Sequence, residues 1–379
     1  MPAQLVRYET KLQQLEQEGR RRMLTSHAGL DFTSNDYLGL ASSARLSEAI
    51  MAALERGVPA GAGGSRLLRG NHPEHEALEA EAAAFFGSER CLYFGSGYTA
   101  NLAILATLPQ PGDIIVHDAL IHASAHAGIA AGHASAISVP HNDAGAFADA
   151  LRRWRVDGGT GRPWIVVESL YSMDGDRAPL RQLAELADRH DGFLLVDEAH
   201  ATGVHGPGGR GFAAGLEGRD NIVVLHTCGK ALGASGALIG ANRLLCDFLV
   251  NRAKSFIYST APSPLQAACV REALKVLIDE PDRQARLHDL ISVADRMAAE
   301  HLGYSSGSQI QPVIIGENER TVLVAERLKA GGFDVRAIRP PTVPTGTGRL
   351  RIAVTLNVTA AAITALFEHL HQSLRDEAA

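Results

Sequence analysis

Lys230 stands in His-Thr-Cys-Gly-Lys-Ala-Leu-Gly (226–233), and Asp197 closes the apolar run Phe193-Leu194-Leu195-Val196. A lysine just past a strand and a glycine turn sits in a cramped, low-dielectric setting. That setting disfavours the charged amine and makes it a usable nucleophile. An apolar strand does not carry an aspartate at its end without a cationic partner. Pyridoxal phosphate chemistry needs both groups, a lysine to condense with the aldehyde and an acid to keep the pyridine nitrogen protonated.

A phosphate needs a cradle, and Gly95-Ser96-Gly97-Tyr98-Thr99-Ala100 offers one, between an apolar run and a helical segment. The same stretch fits a dinucleotide fingerprint, with Asp118 placed to hold a ribose. A dinucleotide-dependent oxidoreductase is therefore the alternative of another class, although it leaves Lys230 and Asp197 without work. Asp197-Glu198-Ala199-His200 also spells a helicase-type acidic box. The chain has no G-x-x-x-x-G-K-[ST] loop to serve it, so that reading drops out.

Asp118, His122 and His126 are spaced to share one helix face, a possible metal triad. His122 could instead stack flat on a cofactor ring or be a structural histidine; His126 and His133 read as structural. Arg351 alternates with apolar residues in Arg349-Leu350-Arg351-Ile352, where it could grip a carboxylate bidentately or simply face solvent. The four cysteines (Cys91, Cys228, Cys246, Cys269) show no metal-ligand spacing and read as buried thiols, so no metal is expected.

The elements that position these residues alternate. Short apolar strands at Cys91–Phe94, Ile114–Val116, Ala136–Val139, Trp164–Val167, Phe193–Val196 and Ile222–Leu225 are separated by helical segments. This predicts an α/β fold, a mostly parallel sheet covered by helices on both faces. Such sheets bind ligands at the carboxyl ends of their strands. Gly95–Tyr98, Glu168, Ser172, Asp197, His200, Thr227 and Lys230 all follow strand ends, which argues for one shared site. The expected organisation is an N-terminal helical arm (1–45), a large α/β domain (46–278) and a small α+β domain (279–379), with Pro281 breaking the helix before it.

The 379 residues are 46% hydrophobic and 21% charged, ordinary globular usage, and long enough for more than one core. A net charge of −6 argues against a nucleic-acid binder working by bulk electrostatics. No apolar run is of membrane-spanning length and no signal-like segment opens the chain, so a cytoplasmic protein is expected.

Four stretches go together: Ser34-Asn35-Asp36-Tyr37-Leu38-Gly39, Gly64-Ser65-Arg66-Leu67-Leu68-Arg69-Gly70, Asp197-Glu198-Ala199-His200-Ala201-Thr202-Gly203 and Ile338-Arg339-Pro340-Pro341-Thr342-Val343-Pro344. With the lysine turn, they make nearly the whole chain resemble the α-oxoamine synthases, pyridoxal-phosphate enzymes of the aspartate-aminotransferase fold type. The resemblance implies that Lys230 carries the cofactor and shuttles the α-proton. It implies that Asp197 pairs with the pyridinium nitrogen and that His122, a catalytic and substrate-contacting residue, stacks on the ring. Ser172 and His200 would approach the ring's phenolic oxygen, while Gly97, Tyr98 and Thr227 hold the phosphate. Arg351 and Asn35 would address the amino acid carboxylate, and Arg20 and Thr342 the acyl thioester. The resembled branch condenses L-alanine with pimeloyl-CoA or pimeloyl-acyl carrier protein, losing CO₂, in biotin biosynthesis; a sister branch uses glycine. A homodimer is implied, with the glycines at 61–64 and Ser259-Thr260 reaching the neighbouring subunit's site.

Overall fold

The computed structural model describes residues 2–24 and 26–375. The chain forms two compact units, one of residues 35–172 and 176–286, the other of 1–34, 173–175 and 287–379.

The larger unit is organised by a seven-stranded sheet. Its strands are β1 (Arg90–Phe94), β2 (Ile114–Asp118), β3 (Ser135–Val139), β4 (Pro163–Glu168), β5 (Phe193–Asp197), β6 (Ile222–Thr227) and β7 (Ala237–Ala241). They lie in the order β1-β7-β6-β5-β4-β2-β3, and β7 alone runs against its neighbours. The expected parallel α/β sheet is present. Except at the exposed edge strand β3, both faces are buried, which is why these strands read as continuous apolar runs. Leu92, Ile115, Val166, Leu195 and Leu225 face the helices α1 (Gly97–Thr107) and α2 (Ala123–Ala131). Val116, Val167, Leu194, Val196 and Val224 face the helices Ala144–Val156 and Leu180–Arg189.

Strand β7 was not anticipated. Ala237-Leu238-Ile239-Gly240-Ala241 is short and interrupted by a glycine, a weak strand signal. Packing explains the glycine: a Cβ there would come within 2.3 Å of Ser88 Oγ.

The turns into α1 and α2 are each capped by their own side chain. Ser96 Oγ accepts from Thr99 N at 3.1 Å to start α1, and His122 Nδ1 accepts from Ser124 N at 3.2 Å to start α2. Both helices therefore begin, with their unpaired N–H groups and positive dipole ends, where the parallel strands finish.

The smaller unit holds a three-stranded antiparallel sheet, Ala337–Ile338, Gly348–Ala353 and Ile310–Gly316 in spatial order. The helices Asn318–Ala330 and Ala360–Arg375 accompany it. Two sequence expectations are corrected here. Residues 1–45 are not a separate arm: Leu30–Asp31 pairs in parallel with Phe333–Asp334, and Ala353 N donates to Phe32 O at 2.8 Å. These backbone bonds put the first 34 residues in the C-terminal unit. The second boundary falls after Arg286 rather than at 278: the helix Pro264–Asp279 does end before Pro281, but Pro281 opens a new 22-residue helix, Pro281–Leu302, whose first residues to Arg286 stay with the larger unit. A proline at a first helical position forfeits no intrahelical bond. Residues 173–175 also join this unit, held by an Arg349–Asp174 ion pair of 2.5 Å.

Helices α1 and α2 cross at Gly128, where a Cβ would lie 2.8 Å from Leu105 Cβ and 2.9 Å from Asn101 O. Gly128→Ala would gain up to about 1 kcal/mol of helix propensity, but the obstructing atoms include backbone that cannot swing aside. The clash should win, lowering unfolding free energy by about 1–3 kcal/mol in a denaturant titration. A variant more stable than the parent would contradict this packing.

Candidate active site

At the carboxyl ends of β4, β5 and β6 the larger unit contains a cavity of about 160 Å³. Lys230 and Asp197 both line it, the one from the turn after β6 and the other from the last position of β5. Gly97, Tyr98, His122, His200 and Thr227 line it too. Of the larger unit's cofactor-binding candidates only Ser172 stands just behind the wall, buried, its backbone N donating to Glu168 Oε2 at 3.0 Å.

Asp197 is supplied with a donor for each oxygen: Ala199 N to Oδ1 at 2.9 Å and Asn101 Nδ2 to Oδ2 at 2.7 Å. Charge-assisted bonds of this kind favour the ionised carboxylate. Its neighbour Glu198 turns the other way, accepting from Ser169 Oγ at 2.8 Å and Ala213 N at 2.5 Å, and burial pushes its carboxyl up to about 7. Two adjacent acids thus divide between cavity and core.

A second hydrogen-bond chain begins at Lys230. Its Nζ lies 2.6 Å from His200 Nε2; His200 Nδ1 lies 2.7 Å from the Tyr37 hydroxyl, which donates to Asn35 Oδ1 at 2.9 Å. One direction serves all three bonds. The Tyr37 proton goes to Asn35, so Nδ1–H of His200 donates to Tyr37 and Nε2 accepts from the lysine. Asn35 thereby connects to the site through two intermediaries.

His122 is held in one tautomer. Asn101 Nδ2 donates to Ser124 Oγ at 3.0 Å, and the Ser124 hydroxyl and backbone N approach His122 Nδ1 at 2.7 and 3.2 Å. Nδ1 is the acceptor, so the ring proton sits on Nε2. Burial lowers the imidazole's pKa, Asp197 opposes that and Lys230 adds to it. The metal-triad and dinucleotide readings both fail on Asp118. It ends β2 rather than lying on α2, and it is engaged by His141 Nδ1 at 2.9 Å, Leu120 N at 2.8 Å and Asn142 N at 2.7 Å. His126 packs edge-on against His117.

The remaining candidates belong to the smaller unit. Arg351 is buried on the strand Gly348–Ala353, opposite Pro312. Arg20 Nε donates to Pro340 O at 3.1 Å and pairs with Glu18 at 2.8 Å, whereas Thr342 Oγ1 accepts from Arg22 at 2.9 Å. The arginine bonded to Thr342 is therefore Arg22. Sequence reasoning passed over Asn101, Ser124 and Tyr37. Asn101 was findable, since it lies one helical turn after Gly97 and so shares its face.

His122 should stay neutral below its ordinary value of about 6.5. Histidine NMR, with His122→Gln to assign the signal, should show protonation only as pH falls below that value. A midpoint above it would refute the neutral imidazole.

The family described as aminotransferase class I and II matches residues 28–370. Among curated proteins, an 8-amino-7-oxononanoate synthase of Anaeromyxobacter dehalogenans is 41% identical over 97% of this chain and 95% of its own. That of Burkholderia thailandensis is 43% identical over 92% and 93%. Among solved structures, a serine palmitoyltransferase variant from S. paucimobilis, with a pyridoxal phosphate–myriocin aldimine bound, superposes with a TM-score of 0.89 at 25% identity, covering 99% of this chain and 98% of that one. The 8-amino-7-oxononanoate synthase of Francisella tularensis gives 0.77 at 28% identity, covering 93% and 99%. With a match spanning most of its length and relatives above 40% identity, this chain belongs to the class I and II aminotransferase family.

Proposed function

We propose that this chain is a pyridoxal-phosphate-dependent acyltransferase. It condenses L-alanine with pimeloyl-CoA or pimeloyl-acyl carrier protein to give 8-amino-7-oxononanoate, the free thiol and CO₂, a step of biotin biosynthesis. The observation that carries this is the shared cavity of Lys230 and Asp197, an amine and a carboxylate between which a pyridine aldehyde can be held. The names of the relatives above 40% identity supply the product, and the family resemblance the substrates.

The residues present suit the cofactor. Asp197, with both oxygens already oriented, would face the pyridine nitrogen, and neutral His122 would lie against the ring. Gly97, Tyr98 and Thr227 would take the phosphate at the start of α1, where unpaired N–H groups favour an anion. Ser172 and His200 would stand at the phenolic oxygen. When bound, the cofactor supplies an electron sink that acidifies the α-carbon of the amino acid.

The chain's own residues do the rest. Lys230 Nζ removes the proton from alanine Cα as general base and later returns one. His200 Nε2, 2.6 Å away, orients that amine and is itself oriented by Tyr37. Asp197 keeps its negative charge because Asn101 and Ala199 solvate it in place of water. Arg351 and Asn35 are assigned to the alanine carboxylate, and Arg20 with Thr342 to the acyl thioester, on the family resemblance. A cytoplasmic homodimer, completed by Gly61–Gly64 and Ser259-Thr260, is part of the same proposal. Among the described residues no helix is long and apolar enough to cross a membrane.

Two outcomes are expected. Lys230→Ala should lower turnover by roughly a thousandfold or more, the scale of a lost general base, measured as thiol release from pimeloyl-CoA. Normal turnover in that variant would end the lysine's assigned role. L-alanine should be preferred over glycine in kcat/KM by roughly 10–200-fold, as one methyl in a fitted pocket permits. Equal rates would move the protein to the glycine-using branch.

A further inference from the structure

Glu168 is the other acid of the cavity. It ends β4 beside Asp197 at the end of β5, the two being register partners on adjacent parallel strands. Both side chains line the cavity and both are buried. Their surroundings are unequal. Asp197 has a donor on each oxygen. Glu168 accepts from Ser172 N on Oε2, while its buried Oε1 has no hydrogen-bond partner.

Two neighbouring carboxyls in a low-dielectric site do not both ionise, and the proton goes to the one less well solvated. An oxygen buried without a donor is unfavourable as a bare acceptor. As an O–H it becomes a donor. We propose that Glu168 works as a neutral carboxylic acid, Asp197 bearing the cavity's carboxylate charge, and that its Oε1–H donates a hydrogen bond to an oxygen of the bound cofactor. This rests on the cofactor reading above.

The charges around it agree. Burial raises the Glu168 carboxyl and Asp197 raises it further, against the opposing effects of Lys230 and of the backbone and side-chain hydrogen bonds from Ser172, so that it reaches about 8. His122, His200 and Tyr98 are the other ionisable side chains lining the cavity beside Lys230, and Tyr171, three residues on, is buried. The sign follows. Below about pH 8 the proton is present; above it a second negative charge appears beside Asp197 and faces an anionic cofactor. Cofactor affinity should fall as pH rises through that value.

The test uses the holoprotein and Glu168→Gln, which keeps a donor and cannot ionise. Equilibrium binding of pyridoxal phosphate, followed by its visible absorbance, should be similar for the two proteins near pH 7. The parent should then weaken roughly tenfold by about pH 9, one proton's worth of linkage, relative to the variant. Superimposed pH profiles, or a folded variant that loses the cofactor near pH 7, would overturn the proposal. Infrared spectroscopy of the parent decides independently of the variant's folding. A carbonyl stretch of a neutral carboxylic acid should disappear through about pH 8, later than that of Glu198, which burial places at about 7, and Glu168→Gln should lack this later band. Absence of that band from the parent would also overturn the proposal. Failure of both proteins to take up any pyridoxal phosphate would instead remove the cofactor reading, and the proposal with it.

Discussion

The site depends on keeping one carboxylate charged where water has been excluded. Asp197 sits at the mouth of a sheet buried on both faces, with Leu194 and Val196 on one side and Leu195 on the other. A bare charge there would be lost to protonation. Asn101 and Ala199 each present a fixed N–H to one of its oxygens. Because those donors are already in place, no reorganisation is needed when a cationic ring nitrogen arrives.

The same donors couple the acid to its surroundings. The Asn101 amide serves Asp197 and Ser124 together, and Ser124 fixes the tautomer of His122, so one side chain of α1 orients Asp197 on β5, Ser124 on α2 and His122 at the start of α2. Gly128 is what lets α2 approach α1 closely enough for Asn101 to reach Ser124. A backbone requirement on one helix therefore reaches the acid on a strand.

Charge is partitioned with equal care one layer away. His141 lies between Asp118 and Asp176, at 2.9 and 2.8 Å. Burial pushes its pKa down, but the two carboxylates outweigh that and carry it to about 10. Its folded-state value is raised, so the stabilisation it gives is full below the ordinary histidine value and is lost progressively as pH rises from there through about 10. This pair of clamps ties the turns after β2 and β3 to Asp176, whose carbonyl accepts from Tyr171 N at 2.9 Å beside Ser172. Asp118, which in sequence looked like a ribose or metal ligand, is a structural anchor for the loop behind the site.

The amino-acid sequence alone determined the sheet and the chemistry at its edge. Apolar runs ending in Glu168, Asp197 and Thr227 can only be strands of a doubly covered sheet, and polar residues at such ends converge by construction. Lys230 and Asp197 were legible for that reason. The tertiary structure alone decided what depends on contacts between distant segments. Those include the glycine-bearing strand β7, the return of residues 30–32 to pair beside 333 and 353, the chain Lys230–His200–Tyr37–Asn35, and the proton on Glu168. Local periodicity encodes which face of an element is buried. It does not encode which distant donor meets a buried carboxyl oxygen, and that meeting sets where the charges lie.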